Sequence, residues 1–351
     1  MSFVGNEPEW LTRKKRIDTR LCSLNPAWEI VPWRDGLDVS KLTCHAVTEF
    51  PTENGPADYA LFVNGRFLGI NEAKKVTVNP QNVLEQAKRY SKGAFNGSGN
   101  WNGYRVPFLF ASNGEIIWFL DVRQEKAASR QIANFHTGPA LEALFAFDIK
   151  PAFDWLLDTP PDLITRLRDY QRRCNIATEQ AIIAGRREIL LALATGTGKT
   201  FLTVAQIYRL LESKFARRIL FLVDRKALAA QAVREFNAFN TPNGHKFSQE
   251  YEVYSQRFQK EDFGDDTPFN PKVLPNEYLT APKASHTFVY VSTIQRRARN
   301  LFGAENAFPQ LIAGDPDYDD DADKLDIPIH AFDLIIADEC HRGYTMQETS
   351  I

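Results

Sequence analysis

Residues 188–213 hold the feature that most restricts what this chain can fold into. A continuous apolar run over 188–194 leads into Ala194-Thr195-Gly196-Thr197-Gly198-Lys199-Thr200, and apolar residues at helical spacing follow to 213. A run of strand length that ends in a glycine turn and opens a helix reads as the start of a β–loop–α crossover. A crossover of this kind needs a parallel neighbour strand and helices on both faces of the sheet. Further apolar strands are predicted at 218–223, 287–292 and 332–337, with helices at 163–184, 199–213 and 226–239. Residues 163–351 are therefore expected to form a parallel α/β lobe. Residues 241–286 and 314–326 are polar interruptions of that pattern.

The loop has the chemistry of a polyphosphate cradle. Gly196 and Gly198 let backbone N–H groups turn inward, and the helix that follows points its positive end at the anion. Thr195 and Thr197 complete the turn. Lys199 is placed to reach the β- and γ-phosphates and the Thr200 hydroxyl to hold Mg²⁺. The expected cofactors are thus ATP and Mg²⁺. Asp338-Glu339-Cys340-His341 follows the apolar strand at 332–337, where carboxylates emerge at a strand's C-terminal end. Asp338 is expected to hold the nucleotide's Mg²⁺, and Glu339 to orient and deprotonate the attacking water.

The first 150 residues read differently. A helix is predicted at 10–24, and strands at 57–63 and 67–74 flank the hairpin signal Asn64-Gly65. A helix capped by Asn79-Pro80 runs to 92, a glycine- and asparagine-rich loop spans 93–103, and strands lie at 106–111 and 116–122. This is a mixed α/β unit, 1–150, joined by a linker at 151–162 that contains Asp158-Thr159-Pro160-Pro161.

Within the hairpin, Asp58, Glu72 and Lys74 form an Asp…Glu-x-Lys constellation. Two carboxylates can hold Mg²⁺ beside a scissile phosphate, and a lysine can stabilise the attacking hydroxide. Glu72 and Lys74 share a strand face. A simple two-residue Asn64-Gly65 loop would pair Val63 with Arg66 and send Asp58 to the opposite face. A three-residue or glycine-bulged loop would set Asp58 across from Glu72, and this form is expected. The alternative, a charged surface hairpin, stays open on these residues alone. On the following helix Gln86 and Tyr90 are four apart and share a face.

These motifs carry a resemblance. The phosphate loop with an Asp-Glu-x-His box resembles a superfamily 2 helicase or translocase with a RecA-like lobe. So does the order of the weaker elements: Tyr170-Gln171, Leu222-Val223-Asp224-Arg225 with Gln231, and Val291-Ser292-Thr293-Ile294-Gln295. The resemblance implies that Gln171 reads the adenine edge and that Arg225, Thr293 and Gln295 contact nucleic acid. Asp58, Glu72 and Lys74 followed by Gln86-x-x-x-Tyr90 resemble the RecB-like branch of the PD-(D/E)xK nucleases, which implies that Gln86 and Tyr90 support the metal site and that Lys88 or Arg89 meets phosphate. The succession of the two resembles the R (restriction) subunit of type I restriction-modification enzymes. The stretches Asn54-Gly55-Pro56-Ala57-Asp58-Tyr59-Ala60-Leu61 and Asn71-Glu72-Ala73-Lys74 add to it, as do Ser129-Arg130 with Phe135-His136 and Asp338 through Tyr344. This implies an ATP-dependent endonuclease and translocase acting on double-stranded DNA, with methyltransferase and specificity subunits as partners. Members of that family continue beyond the acidic box into a second motor lobe. The expectation for a sequence that stops at Ile351 is an incomplete motor that holds ATP without moving along DNA. The competing reading is a stand-alone superfamily 2 DNA or RNA helicase whose first domain only binds; a further one is a non-catalytic remnant that docks to partners.

Composition excludes little. A net charge of −2 provides no global attraction to nucleic acid, so contacts must come from local patches such as Arg13-Lys14-Lys15-Arg16. The bland reading of that cluster is a solvated helix face. Cys22, Cys44, Cys174 and Cys340 form no CxxC pair and suggest neither zinc nor disulfides. No apolar run reaches the roughly 18 residues of a membrane span, and residues 1–10 do not resemble a secretory signal; no membrane role and a cytoplasmic location are expected. Asp315, Asp317 and Asp319 have the spacing of a calcium loop, but Asp320 stands where its turn glycine belongs, which argues against calcium.

Overall fold

The computed structural model describes residues 8–123, 128–257, 271–303 and 323–338. The chain divides into two compact units, Met1–Asp148 and Ile149–Ile351.

The first unit opens with α1 (Glu9–Thr12), a π-helical turn (Arg13–Ile17) and α2 (Asp18–Cys22). The strands β1 (Glu29–Pro32), β2 (Cys44–Phe50), β3 (Ala57–Val63) and β4 (Arg66–Ala73) follow. Helix α3 (Leu84–Lys92) comes next, then β5 (Phe108–Ser112), β6 (Ile117–Asp121), β7 (Arg130–Ile132) and α4 (Gly138–Ala146). Asn79 caps the 3-10 turn that leads into α3 by accepting from the Gln81 N–H, with Pro80 behind it. The seven strands form one mixed sheet in sequence order, parallel at β1–β2 and β4–β5 and antiparallel elsewhere. One face packs against α3 through Leu84, Ala87 and Tyr90 on Ala60, Phe62 and Ile70. The other buries Ile17, Leu21, Trp28 and Leu141 on Leu61, Phe108 and Phe110. The loop at residues 93–103 is tied to the sheet: Gly97 bridges Phe67, and the Ser98 hydroxyl donates to Phe67 O.

The second unit contains α5 (Lys150–Asp158), α6 (Asp169–Ile183), α7 (Lys199–Glu212), β8 (Arg218–Val223), α8 (Lys226–Ala238) and α9 (Phe247–Glu250). It continues with β9 (Glu252–Ser255), β10 (Lys272–Val273), α10 (Asn276–Thr280), β11 (Phe288–Thr293), α11 (Ile294–Phe302) and β12 (Leu334–Ala337). Among the described residues the strands of its sheet pair in parallel, in the order β10-β9-β11-β8-β12. Helices α7 and α8 cover it through Val204, Ile207, Leu211, Val233 and Phe236 on Phe221, Val223 and Val291.

Three expectations need correction here. The linker at 151–162 is mostly helix α5, followed by a 3-10 turn at Pro161–Leu163. The helix expected from 163 begins at Asp169, because Ile164 and Leu167 are drawn into the core in irregular backbone. The strand expected at 188–194 pairs with nothing among the described residues, and Ile189, Leu190 and Leu191 are 38%, 77% and 43% exposed. A helix satisfies its own backbone, but a strand is completed only by an edge that distant residues must supply. An apolar run cannot report whether that edge is there. In the opposite direction, β9 and β10 arise within a segment whose polarity hid them.

Candidate active site and nucleotide-binding loop

The carboxylate pair is a product of strand register. Asn64 and Gly65 have φ of +48° and +76°, the signature of a tight two-residue type I′ turn. Val63 pairs with Arg66 and Phe62 with Phe67, but Leu61 pairs with Gly69, so Leu68 is an extra residue in β4. The turn is therefore not enlarged, contrary to expectation; the bulge sits in the strand. Its effect is the one the enlarged turn was expected to have. Beyond it Tyr59 pairs with Asn71, and one more step along the ladder sets Asp58 opposite Glu72. By alternation both share the α3 face with Ala60 and Ile70.

The two acids differ in surroundings. Asp58 is held at both oxygens: Ala73 N–H donates to Oδ2 at 2.7 Å, and Arg13 donates to Oδ1 at 3.1 Å. Glu72 is 2% exposed, and its Oε2 has no hydrogen-bond partner among the described residues. Burial first, and the Asp58 charge next, push the Glu72 carboxyl up to about 8, although the nearby Lys74 ammonium opposes the shift. Lys74 Nζ lies 3.6 Å from Glu72 Oε1 and 3.9 Å from Glu9 Oε2. On α3 the Gln86 amide donates to the Tyr90 hydroxyl at 2.9 Å, and the Arg89 guanidinium lies over the Tyr90 ring. Lys88 is paired with Glu85.

Arg13, Glu49 and Glu9 were not singled out as site residues in the sequence. Arg13 bridges Glu49 and Asp58, lies over the Tyr59 ring and donates to the Asp58 carbonyl. It belongs to the basic cluster expected to be solvated. No local signal separates it from Lys14 and Lys15; the π-helical turn and the packing of Ile17 decide its direction.

Among the described residues no three His, Cys, Asp or Glu side chains converge to hold a metal ion. This does not disqualify the pair for Mg²⁺, which keeps several waters and takes one or two carboxylates plus substrate oxygens. The orphaned, buried Glu72 Oε2 beside Asp58 is the kind of ligand atom such an ion would satisfy.

In the second unit, Gly196 and Gly198 have φ of +78° and +73°, and Gly198 directly precedes Lys199 and Thr200, the first residues of α7. The loop backbone is gripped from α6. The Tyr170 hydroxyl donates to Thr197 O at 2.7 Å, and the Gln171 amide donates to Thr197 O and Gly198 O at 3.0 and 3.3 Å. Gln171 Oε1 accepts from the Arg168 N–H, and the residue is 3% exposed. Its amide is thus engaged with the loop itself. The Thr197 hydroxyl donates to Ala194 O, and Thr195 is exposed. Asp338 follows β12, its N–H donating to Leu222 O at 2.8 Å. Arg225 is mostly exposed and pairs with Asp224. Thr293 is buried: its hydroxyl caps α11 and meets Gln256, while Gln295 is the second residue of that helix. Glu339 and Asp315, Asp317, Asp319 and Asp320 lie outside the described residues.

A mixed sheet that sets two carboxylates opposite one another is followed along the chain by a parallel α/β lobe with a glycine loop opening a helix. The chain belongs to the family described as "Type III restriction enzyme, res subunit", whose profile matches residues 164–350. The second domain of the type I restriction enzyme EcoKI endonuclease subunit matches residues 29–145. Two relatives are similar over most of the chain. The EcoKI endonuclease subunit of Escherichia coli K12 is 27% identical over 86% of this chain and 26% of its own length. The EcoAI endonuclease subunit of Escherichia coli is 26% identical over 70% of this chain and 25% of its own. These matches identify a type I R subunit with a helicase-like region. The chain spans about a quarter of the length of those two relatives. A solved fragment described as an HsdR subunit of a type I restriction enzyme from Vibrio vulnificus YJ016 is 18% identical over 95% of this chain and 52% of its own, with a TM-score of 0.26.

Proposed function

We propose that this chain carries the DNA-cleaving site and the ATP-binding lobe of a type I restriction-modification R subunit. The observation that carries the nuclease reading is the bulge at Leu68, which turns Asp58 toward Glu72 on one sheet face beside Lys74. Asp58 and Glu72 would hold Mg²⁺. When bound, the ion would supply Lewis-acid polarisation of the scissile phosphate and a nucleophile at neutral pH. Lys74 then stabilises the attacking hydroxide, and its ammonium favours the charged form of Glu72. Gln86 and Tyr90 support the pair from α3, and Arg89 meets DNA phosphate.

In the second unit, the backbone of Thr195–Gly198 cradles the phosphates of ATP, Lys199 binds the β- and γ-phosphates, and Thr200 with Asp338 would hold the nucleotide's Mg²⁺. Gln171 positions the loop through its amide, and Glu339 orients the attacking water. Arg225 and Gln295 contact double-stranded DNA, and the buried Thr293 sets the start of the helix that carries Gln295. Methyltransferase and specificity subunits are the partners that would select the target, as the names of the relatives as type I endonuclease subunits support.

The test is nicking of supercoiled plasmid by the full chain with Mg²⁺ or Mn²⁺. Nicking is expected in the wild type and lost in Asp58→Ala and Lys74→Ala. Equal nicking by Asp58→Ala removes the nuclease assignment. Binding of a fluorescent ATP analogue, expected to be lost in Lys199→Ala, tests the second site separately.

A further inference from the structure

We propose that Arg13 is the resident counter-ion of the acid pair, and that a divalent cation enters by displacing its guanidinium from Asp58 onto Glu49. The inference rests on the reading of Asp58 and Glu72 as a metal site. Three features of the geometry lead to it.

First, Asp58 is not free to turn away from Arg13. Its Oδ2 is fixed by the Ala73 N–H at 2.7 Å, which leaves Oδ1, the oxygen that Arg13 holds at 3.1 Å. A cation shared between Asp58 and Glu72 would meet the guanidinium at that oxygen, and two cations on one carboxylate oxygen repel strongly in a partly buried site. The arginine is the group that can move.

Second, its destination is already in place. The same Arg13 nitrogen, Nη1, donates to Glu49 Oε1 at 2.5 Å, closer than to Asp58. The Glu49 side chain is 57% exposed, so water solvates whatever charge the transfer leaves there. Moving from a bridge to a single partner costs Arg13 one of its two ion pairs and no burial of a bare charge.

Third, Glu49 is held in an uncommon backbone state. Its φ is +55° within β2, a left-handed conformation that non-glycine residues rarely adopt. Such a conformation persists only where surrounding structure keeps it, and the carboxylate of the residue so held is the one that pairs with Arg13.

Arg13 is therefore a positioning residue for the metal-free site. It keeps Asp58 ordered and balances its charge until a metal ion takes over. Lys14 and Lys15, its neighbours in sequence, have no part in this.

The experiment is a Mn²⁺ titration of the nucleotide-free full chain, read by electron paramagnetic resonance of the free ion. The site is defined as the binding lost in Asp58→Ala. Arg13→Gln is expected to bind Mn²⁺ about tenfold tighter, since a competing charge is gone, and Arg13→Lys to return toward the wild type. Glu49→Gln is expected to bind more weakly, because Arg13 then rests on Asp58 alone. A tie between helix and strand without the counter-ion role would lower the melting temperature of Arg13→Gln and leave its affinity unchanged. Unchanged or weaker binding in Arg13→Gln, with binding still lost in Asp58→Ala, overturns the proposal and leaves the metal site standing. If no Mn²⁺ binding depends on Asp58 in either wild type or Arg13→Gln, both readings fall. Should Arg13→Gln not fold, Glu49→Gln decides: weaker binding supports the displacement, and equal or tighter binding refutes it.

Discussion

Replacing Glu72 by glutamine should make the first unit more stable at alkaline pH, although it deletes a residue of the candidate site. Glu72 is buried, has an unpartnered Oε2, and is pushed up to about 8 from an ordinary 4.5, by burial first and by Asp58 next. The folded state thus binds this proton more tightly than the unfolded chain. Its stabilising contribution is complete below about 4.5 and is lost as pH rises through about 8. Each tenfold change in proton affinity is about 1.4 kcal/mol, so the full loss is at most about 5 kcal/mol. Lys74 is partly exposed and can reorient toward Glu72 as it ionises, which reduces the expected loss to about 2–4 kcal/mol. Urea unfolding from pH 5 to pH 9, without divalent ions, measures it. Tryptophan fluorescence is a suitable probe because Trp10, Trp28, Trp33, Trp101 and Trp118 lie in the first unit and only Trp155 in the second. Glutamine mimics the neutral acid, so the two proteins should agree within about 1 kcal/mol at pH 5 and diverge steadily, the variant being the more stable. Parallel stability curves across that range would refute the reasoning, because they would mean that Glu72 ionises in the folded protein as easily as in water.

Two further predictions concern the second unit. Gly198→Ala combines a φ of +73° with a new Cβ 2.9 Å from the Gln171 amide nitrogen; fluorescent ATP-analogue binding should fall at least about tenfold. Gly196→Ala, with a similar φ but open space around it, should lose less. Arg209 and Glu179 form a buried bidentate pair at 2.7 and 2.8 Å, with Gln206 and Thr159 O completing it. Arg209→Ala should cost about 3–5 kcal/mol in calorimetric unfolding, by leaving Glu179 charged and buried. The double change Arg209→Met with Glu179→Leu should recover most of that loss, and an equally unstable double variant would show that packing, not the stranded charge, was responsible.

How much of this was legible in the residues alone varies with the range of the interactions involved. The tight turn at Asn64-Gly65, the cap at Asn79-Pro80 and the strand–helix alternation of the second unit are set by backbone sterics and side-chain period within a few residues. The glycine loop before α7 is of the same kind: its positive φ angles require glycine, and the lysine and threonine that follow announce the chemistry. Pairing is of another kind. Residues 188–194 have the composition of a buried strand, yet their place depends on an edge that no local pattern encodes.

The acid pair shows the division most clearly. Asp58, Glu72 and Lys74 could be picked out as chemistry from residue type and spacing. Whether Asp58 and Glu72 met was decided by one extra residue, Leu68, accommodated in β4 rather than in the turn. A strand alternates with period two, so a single inserted residue exchanges the faces of everything beyond it, and packing on both sides of the sheet selects where it goes. Arg13 was equally a tertiary decision. In sequence it is one of four consecutive basic residues; in the folded chain a π-helical turn and the burial of Ile17 aim it at Asp58 and Glu49. The amino acids determine which groups are available to do chemistry, and long-range packing determines which of them face one another.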